Sequence, residues 1–135
     1  MPTRSYPFSP CSATALQVGD LIAVPCEPSA WGCLQVLEVT RTGPGTRSAF
    51  VAGLLPWRGP SPPTRLVVAG LAATEHALVG IEMFTKGGLQ VVDQAVVVPT
   101  DRPSYFRDPG AAAVGMVHNV WGWQAAIRKA QTSSS

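Results

Sequence analysis

Residues capable of acid–base, nucleophilic or metal chemistry are few in this sequence, and they are scattered. His76 and His118 lie in different predicted connections, and neither has an H-x-x-x-H or C-x-x-C motif nearby. The eight acidic residues also occur singly. An enzyme would need a nucleophile beside a base, paired carboxylates in a cleft or closely spaced metal ligands. The sequence therefore predicts a protein without catalysis, metal or other cofactor, and an enzymatic site assembled only by the fold is the least favoured interpretation.

The three cysteines, Cys11, Cys26 and Cys33, are an odd number, and Met1 is followed by polar, proline-interrupted sequence without the apolar segment of a signal peptide. We expect reduced thiols in a cytoplasmic protein. Cys26 and Cys33 flank a six-residue loop of a predicted hairpin, so a disulfide between them is geometrically possible in an oxidising compartment. No apolar run reaches the roughly 18 residues that span a bilayer, so a soluble protein without membrane contact is expected.

Arginine and tryptophan side chains are the remaining candidates for binding. Arg41, Arg47, Arg58 and Arg65 lie close together in the sequence with Trp57 among them, and their two loops are expected to meet at one rim of the fold. A basic rim with an aromatic residue is typical of a single-stranded nucleic-acid groove, although a net charge of +2 is small for that function.

A protein interface is the other interpretation of these residues, because Trp and Arg are the commonest binding hot spots and proline-stiffened loops present them at low entropic cost. A loop over residues 27–32 is predicted to expose a further tryptophan, Trp31. The predicted partner-binding residues are Trp31, Arg41, Arg47, Trp57 and Arg58.

The chain that must position these residues has 135 residues, of which 46% are hydrophobic and 13% charged, enough for one folded domain with a single core. Residues 1–15 are predicted to form an extended arm anchored by Tyr6 and Phe8. Residues 16–131 are predicted to form one β-rich domain, and residues 132–135 a flexible tail.

Apolar runs bounded by Gly and Pro predict six strands, over residues 20–25, 33–40, 48–55, 65–71, 78–84 and 89–98. The first is apolar throughout, which predicts burial on both faces. In the second, Leu34 and Val36 share one face and Leu37 and Val39 the other, which predicts a bulge or a strong coil near Val36. Asp20 is expected to bond a nearby backbone amide in a turn. Residues 56–64, PWRGPSPPT, connect the third and fourth predicted strands and are predicted to form a rigid surface loop that displays Trp57 and Arg58.

The spacing of apolar residues becomes helical, with intervals of three and four residues, only near the C-terminus, where Asn119 is predicted to cap a short helix. Trp121 and Trp123 lie two apart, so one of them, more naturally Trp123, is expected to pack into the core while the other points outward. The predicted fold is mainly β: a small coiled antiparallel sheet or SH3-like barrel of about six strands, with one short C-terminal helix as a lid over an open end.

Residues 18–39, VGDLIAVPCEPSAWGCLQVLEV, resemble the start of a family of small all-β bacterial immunity proteins, the one numbered twenty-six. In that family a Gly-Asp turn, here Gly19 and Asp20, leads to an apolar strand, a loop, an aromatic-Gly pair, here Trp31 and Gly32, and a returning strand. The resemblance implies a protein that binds and neutralises a cognate toxin domain without catalysis. It leaves the toxin and the oligomeric state open, and the mildly basic charge leans slightly against a nuclease as the target.

Overall fold

Six strands form one open, mixed sheet in the computed structural model, which describes residues 6–26, 29–39, 48–100 and 120–132. Their order across the sheet is β5-β1-β2-β3-β4-β6, and every neighbouring pair is antiparallel except β4 and β6, which are parallel. The strands are β1 (Asp20–Cys26), β2 (Ala30–Glu38), β3 (Ala49–Gly59), β4 (Glu75–Gly80), β5 (Gln90–Gln94) and β6 (Val120–Trp121). The mainly β prediction is confirmed, as a sheet and not as a closed barrel.

Helical segments and irregular chain cover the two faces of this sheet. A 3-10 turn (Ala13–Ala15), a short helix α1 (Glu82–Thr85) and the C-terminal helix α2 (Trp123–Thr132) lie on one face, over a core that includes Ile22, Leu34 and Phe50. The helix is thus a layer on the sheet and does not act as the lid of a barrel.

The other face is covered by parts of the chain without regular structure. Val68 packs there against Leu21, Cys33 and Leu55, and Val97 packs against a smaller cluster nearby. Burial on both faces explains why residues Asp20 to Val24 of β1 are all buried, as its continuous apolar run predicts.

The predicted irregularity in β2 is present. Val36 pairs with Ala52 and Glu38 with Val51, so Leu37 is an extra residue in the ladder. Because of this extra residue, Val39 points to the face of the sheet that carries the main core and packs there. The expectation that Leu37 and Val39 share a face is therefore wrong, because the extra residue reverses the alternation between them.

The turn before β1 depends on Gly19, whose φ of +98° disfavours other residues. Its N–H donates to the Val36 carbonyl over 2.8 Å, and its carbonyl accepts from Ala95 N–H over 2.9 Å. The Asp20 carboxylate accepts the backbone N–H of Gln17 at 2.9 Å. The predicted structural role of Asp20 in this turn is confirmed.

The predicted fourth strand at 65–71 is wrong. This segment forms consecutive turns, in which the N–H groups of Val67 and Val68 both donate to the Thr64 carbonyl. Both edges of β3 are already occupied, by β2 and by β4, so no position beside it remains for this run. The strand next along the chain begins instead at Glu75, in a stretch expected to be a connection.

The later predicted strands are present but shorter. Strand β4 ends at Gly80, before α1, and β5 ends at Gln94, ahead of the predicted end at residue 98. The outer edge of β5 is bridged by the N-terminal arm, because Phe8 and Val91 exchange backbone hydrogen bonds of 3.0 and 2.8 Å. The predicted anchoring of the arm by Phe8 is confirmed.

Candidate functional site

Trp31 lies in the ladder of β2 and not in the predicted loop. It pairs with Pro25 of β1 on one side and with Gly59 of β3 on the other, at the end of the hairpin where β1 connects to β2. Its side chain is half-buried. The ladder fixes the backbone of Trp31 on both sides, so the indole is presented from a rigid support.

Two adjoining surface cavities meet at Trp31 and Pro25, and together we call them the Trp31 cleft. The first, of about 230 Å³, lies towards β5 and is lined by residues including Pro7, Pro62 and Val92. The second, of about 440 Å³, lies towards the end of α2 and is lined by residues that include Pro60 and Gln131. Prolines, glycines, alanines and one tryptophan make up more than half of the lining of the cleft, and these residues have few or no side-chain rotamers to lose on binding.

Helix α2 is docked closely against this end of the sheet. A Cβ placed on Gly32 would lie 2.5 Å from the carbonyl oxygen of Ala130, so only glycine allows the helix so near to β2. Gln131 Nε2 donates to the Pro25 carbonyl at 3.1 Å. The second cavity therefore owes its wall to the packing of α2 on the hairpin.

Arg58, a predicted partner-binding residue, belongs to this helix contact. It lies in β3 opposite Gly32, and its Nη1 donates to the Gln131 carbonyl at 2.8 Å. A cation at the C-terminus of a helix is favourable because the last carbonyls carry partial negative charge. The prediction that a surface loop displays Arg58 is wrong, and its described contact is structural.

Trp57 is likewise in β3 and not in a loop. Its ring lies over Gly59, where a Cβ would come within 2.6 Å of Cζ2, and it packs against the buried cluster around Leu55 and Val68. The strand continues past Pro56 because the β2–β3 register shifts in this region, which accommodates a residue that cannot donate to the ladder. Trp57 therefore supports the fold more than it offers a free surface.

The remaining predicted site residues, Arg41 and Arg47, lie outside the described residues. Arg65, named in the same arginine group, donates its backbone N–H to Asp93 Oδ2 at 2.9 Å. Since Arg58 is directed at α2, the part of the chain that the structure describes does not assemble the predicted arginine rim. The nucleic-acid interpretation stays a prediction.

The two hairpin cysteines point to opposite faces of the sheet. Cys26 Sγ donates towards the Ala130 carbonyl of α2 at 3.8 Å, whereas Cys33 belongs to the cluster on the other face. A disulfide between them is excluded in this fold. Burial raises the pKa of the Cys33 thiol, because a thiolate there would lose its hydration. Cys11 is exposed.

Titratable residues do not converge on a reactive centre in the described ranges. His76 pairs with Gly53 in the β3–β4 ladder, while His118 lies outside the described residues. Among the residues searched, no group of three or more His, Cys, Asp and Glu side chains is arranged to hold a metal. None of the helices described is long and apolar enough to cross a membrane.

Trp121 and Trp123 do not lie on one helix with one side chain inward and the other outward, as the sequence predicts. Trp121 lies in β6, ahead of the helix, so the two are not on one helix, and both pack half-buried against the main core. Lys129 Nζ lies 5.1 Å from the centre of the Trp121 ring and 2.8 Å from Glu75 Oε1. This contact joins α2 to β4 and β6.

The sequence interpretation missed the prolines of the Trp31 cleft. The sequence pattern places Pro25 at the end of a predicted strand and Pro60 and Pro62 in a predicted rigid loop, and all three line the cleft. The signal in the sequence that could have indicated these residues is the high proline content, 13 in 135 residues.

Comparisons with family models, with curated proteins and with solved structures give no match for this chain.

Proposed function

We propose that this protein binds a partner protein through the Trp31 cleft, and that the partner is a toxin domain which it neutralises without catalysis. The resemblance of residues 18–39 to immunity proteins motivates the choice of partner. Those residues contain the β1–β2 hairpin that carries Trp31 at its mouth. The resembling stretch therefore supplies Pro25 and Trp31, the two residues that line both cavities.

The observation that carries the proposal is the position of Trp31 as a half-buried residue that lines both cavities. Tryptophan is enriched among interface hot spots, which sit in pockets that exclude water. An inhibitor that binds tightly gains from a surface that is already formed, since little conformational entropy is then lost on association. The paired strands, the prolines and the docked end of α2 supply that rigidity.

The charge of the cleft fits a contact made through shape. Among the described residues that line it there is no Asp, Glu, Lys, Arg or His. A partner that covers the cleft therefore buries no ionised group from this lining, and so avoids the cost of desolvating a charge. The interface would be centred on apolar surface with polar groups such as Ser29 and Gln131 at its rim.

Co-expression with a toxin domain encoded beside this gene tests the proposal. We expect protected growth of the host and a stable one-to-one complex in size-exclusion chromatography. Trp31→Ala should weaken the complex by about thirtyfold or more, the effect of losing a hot spot of about 2 kcal/mol. Leu66→Ala, at a residue that is 82% exposed and outside the cleft, is the matched control and should bind normally.

Failure of such toxin domains to form a complex would contradict the proposal. Salt-sensitive binding of a single-stranded oligonucleotide by the same protein, without any toxin complex, would favour the nucleic-acid function instead.

A further inference from the structure

The indole N–H of Trp31 is a hydrogen-bond donor without a partner among the described residues. A half-buried tryptophan usually finds an acceptor for this group. Trp31 lines both cavities, whose exposed lining residues include Pro7, Pro25, Pro60 and Pro62. The cleft thus combines one free donor with proline and aromatic surface on either side.

We propose that the Trp31 cleft recognises a proline-rich segment of its partner in the polyproline II conformation. This inference rests on the proposed protein interface and specifies the chemistry of what binds there. A proline-rich segment brings carbonyl acceptors for the indole N–H, while its prolines bring no N–H that would need an acceptor in the cleft.

The charge and geometry of the cleft favour this occupant. The lining residues that the structure describes carry no ionised side chain, which matches an uncharged segment. Polyproline II has three residues per turn and rises about 3.1 Å per residue, so prolines one turn apart lie roughly 9 Å from each other on the same side. Prolines at every third residue therefore line one side of such a segment, the side that would face the cleft.

An added β-strand would not fit this position. Strand β1 is already paired with β2 and β5, and β2 with β1 and β3. The β1–β5 pairing ends at Ala23, and the β1 residue opposite Trp31 is Pro25. Pro25 has no N–H and its carbonyl already accepts Gln131 Nε2 at 3.1 Å, so it gives an added strand neither a donor nor a free acceptor. Polyproline II has no internal hydrogen bonds and is already extended, so it loses little entropy when it binds such a surface.

Decaproline is the probe for the test, with a ten-residue Gly-Ser peptide as its control. The indole N–H signals of the ¹⁵N-labelled protein are followed by NMR, and Trp31→Phe identifies the Trp31 signal. We expect decaproline to shift that signal in a saturable way, and the Gly-Ser peptide to leave it unchanged. Circular dichroism shows whether each variant is folded.

Two variants distinguish the contribution of the indole N–H of Trp31 to binding from that of its aromatic ring. Trp31→Phe keeps an aromatic ridge and should weaken decaproline binding by about threefold to tenfold, the effect of one neutral hydrogen bond. Trp31→Ala should weaken it by more than tenfold, and Leu66→Ala should not change it.

An unmoved Trp31 signal at millimolar decaproline would overturn the inference, as would equal binding by Trp31→Ala. A signal that moves on dilution of the protein alone would also overturn it, by assigning the cleft to a second copy of the chain. The proposed function fails separately, when no toxin complex forms. A toxin complex that depends on Trp31 while decaproline does not bind would refute only the proline-rich ligand.

Discussion

The close contact between β2 and α2 makes Gly32→Ala a demanding test of the fold around the Trp31 cleft. The added Cβ would lie 2.5 Å from the Ala130 carbonyl oxygen, whereas ordinary contact begins at 3.4 Å, so the helix end must move by about 0.9 Å. The obstacle is helix backbone, which cannot rotate away as a side chain would. Movement of α2 also stretches the hydrogen bond of 2.8 Å between Arg58 and Gln131.

The expected loss of stability follows from two opposing effects. Overpacking of this kind costs about 1–3 kcal/mol, and replacing a strand glycine returns about 0.5–1 kcal/mol of backbone entropy. We expect Gly32→Ala to lower the free energy of unfolding by about 1–2 kcal/mol in urea titrations followed by fluorescence. Gly122→Ala is the matched control, because a Cβ there meets nothing within 4 Å, and its effect should stay within about 0.5 kcal/mol. Equal stability of Gly32→Ala and wild type would refute the close docking of α2.

Three further predictions concern contacts that hold the cleft and the second face in place. Arg58→Met should lower stability by about 1–2 kcal/mol in urea titrations, because the Gln131 carbonyl at the helix end loses its charged donor; an unchanged midpoint would contradict this contact. Asp93→Asn should lower stability by about 1 kcal/mol and speed hydrogen exchange at the Arg65 amide, which donates to that carboxylate; unchanged exchange would count against it. Because burial raises the pKa of Cys33 above its ordinary value of 9.0, unfolding releases its proton at alkaline pH. The contribution of the Cys33 thiol to the free energy of unfolding should therefore be intact below about pH 9 and fall by up to about 1.4 kcal/mol for each pH unit above it. Urea titrations at pH 8 and 10 measure this loss, which Cys33→Ala should lack.

Local patterns in the sequence predict much of the first hairpin. The continuous apolar run of β1, the turn role of Asp20 and the bulge near Val36 all follow from side-chain type and spacing. Each depends on residues near one another in the chain, so a pattern read along the sequence contains the necessary information.

Sheet neighbours and long contacts are not available from such patterns. Residues 65–71 have strong strand preference, yet the edge of β3 is taken by β4, and Val68 instead anchors the segment over the second face. Pro56 suggests the end of a strand, yet a shift in register lets β3 continue to Gly59. In both cases competition for a place in the sheet overrides local preference.

The candidate site shows the same division. The sequence singles out Trp31, but it cannot place Pro7 and Pro62 beside it, because they come from distant parts of the chain. It also groups Arg58 with a binding rim, whereas the side chain serves the end of α2, a contact separated by 73 positions in the sequence. Functional surfaces made by packing become visible only when the fold is known.

The most direct test of the Trp31 cleft as a partner-binding surface is isothermal titration calorimetry with the proposed partner, a toxin domain sought among the products of neighbouring genes. The wild type and Leu66→Ala should bind with the same affinity, and Trp31→Ala should bind about thirtyfold or more weakly while remaining folded. Equal affinity of the folded Trp31→Ala variant and the wild type would contradict the account.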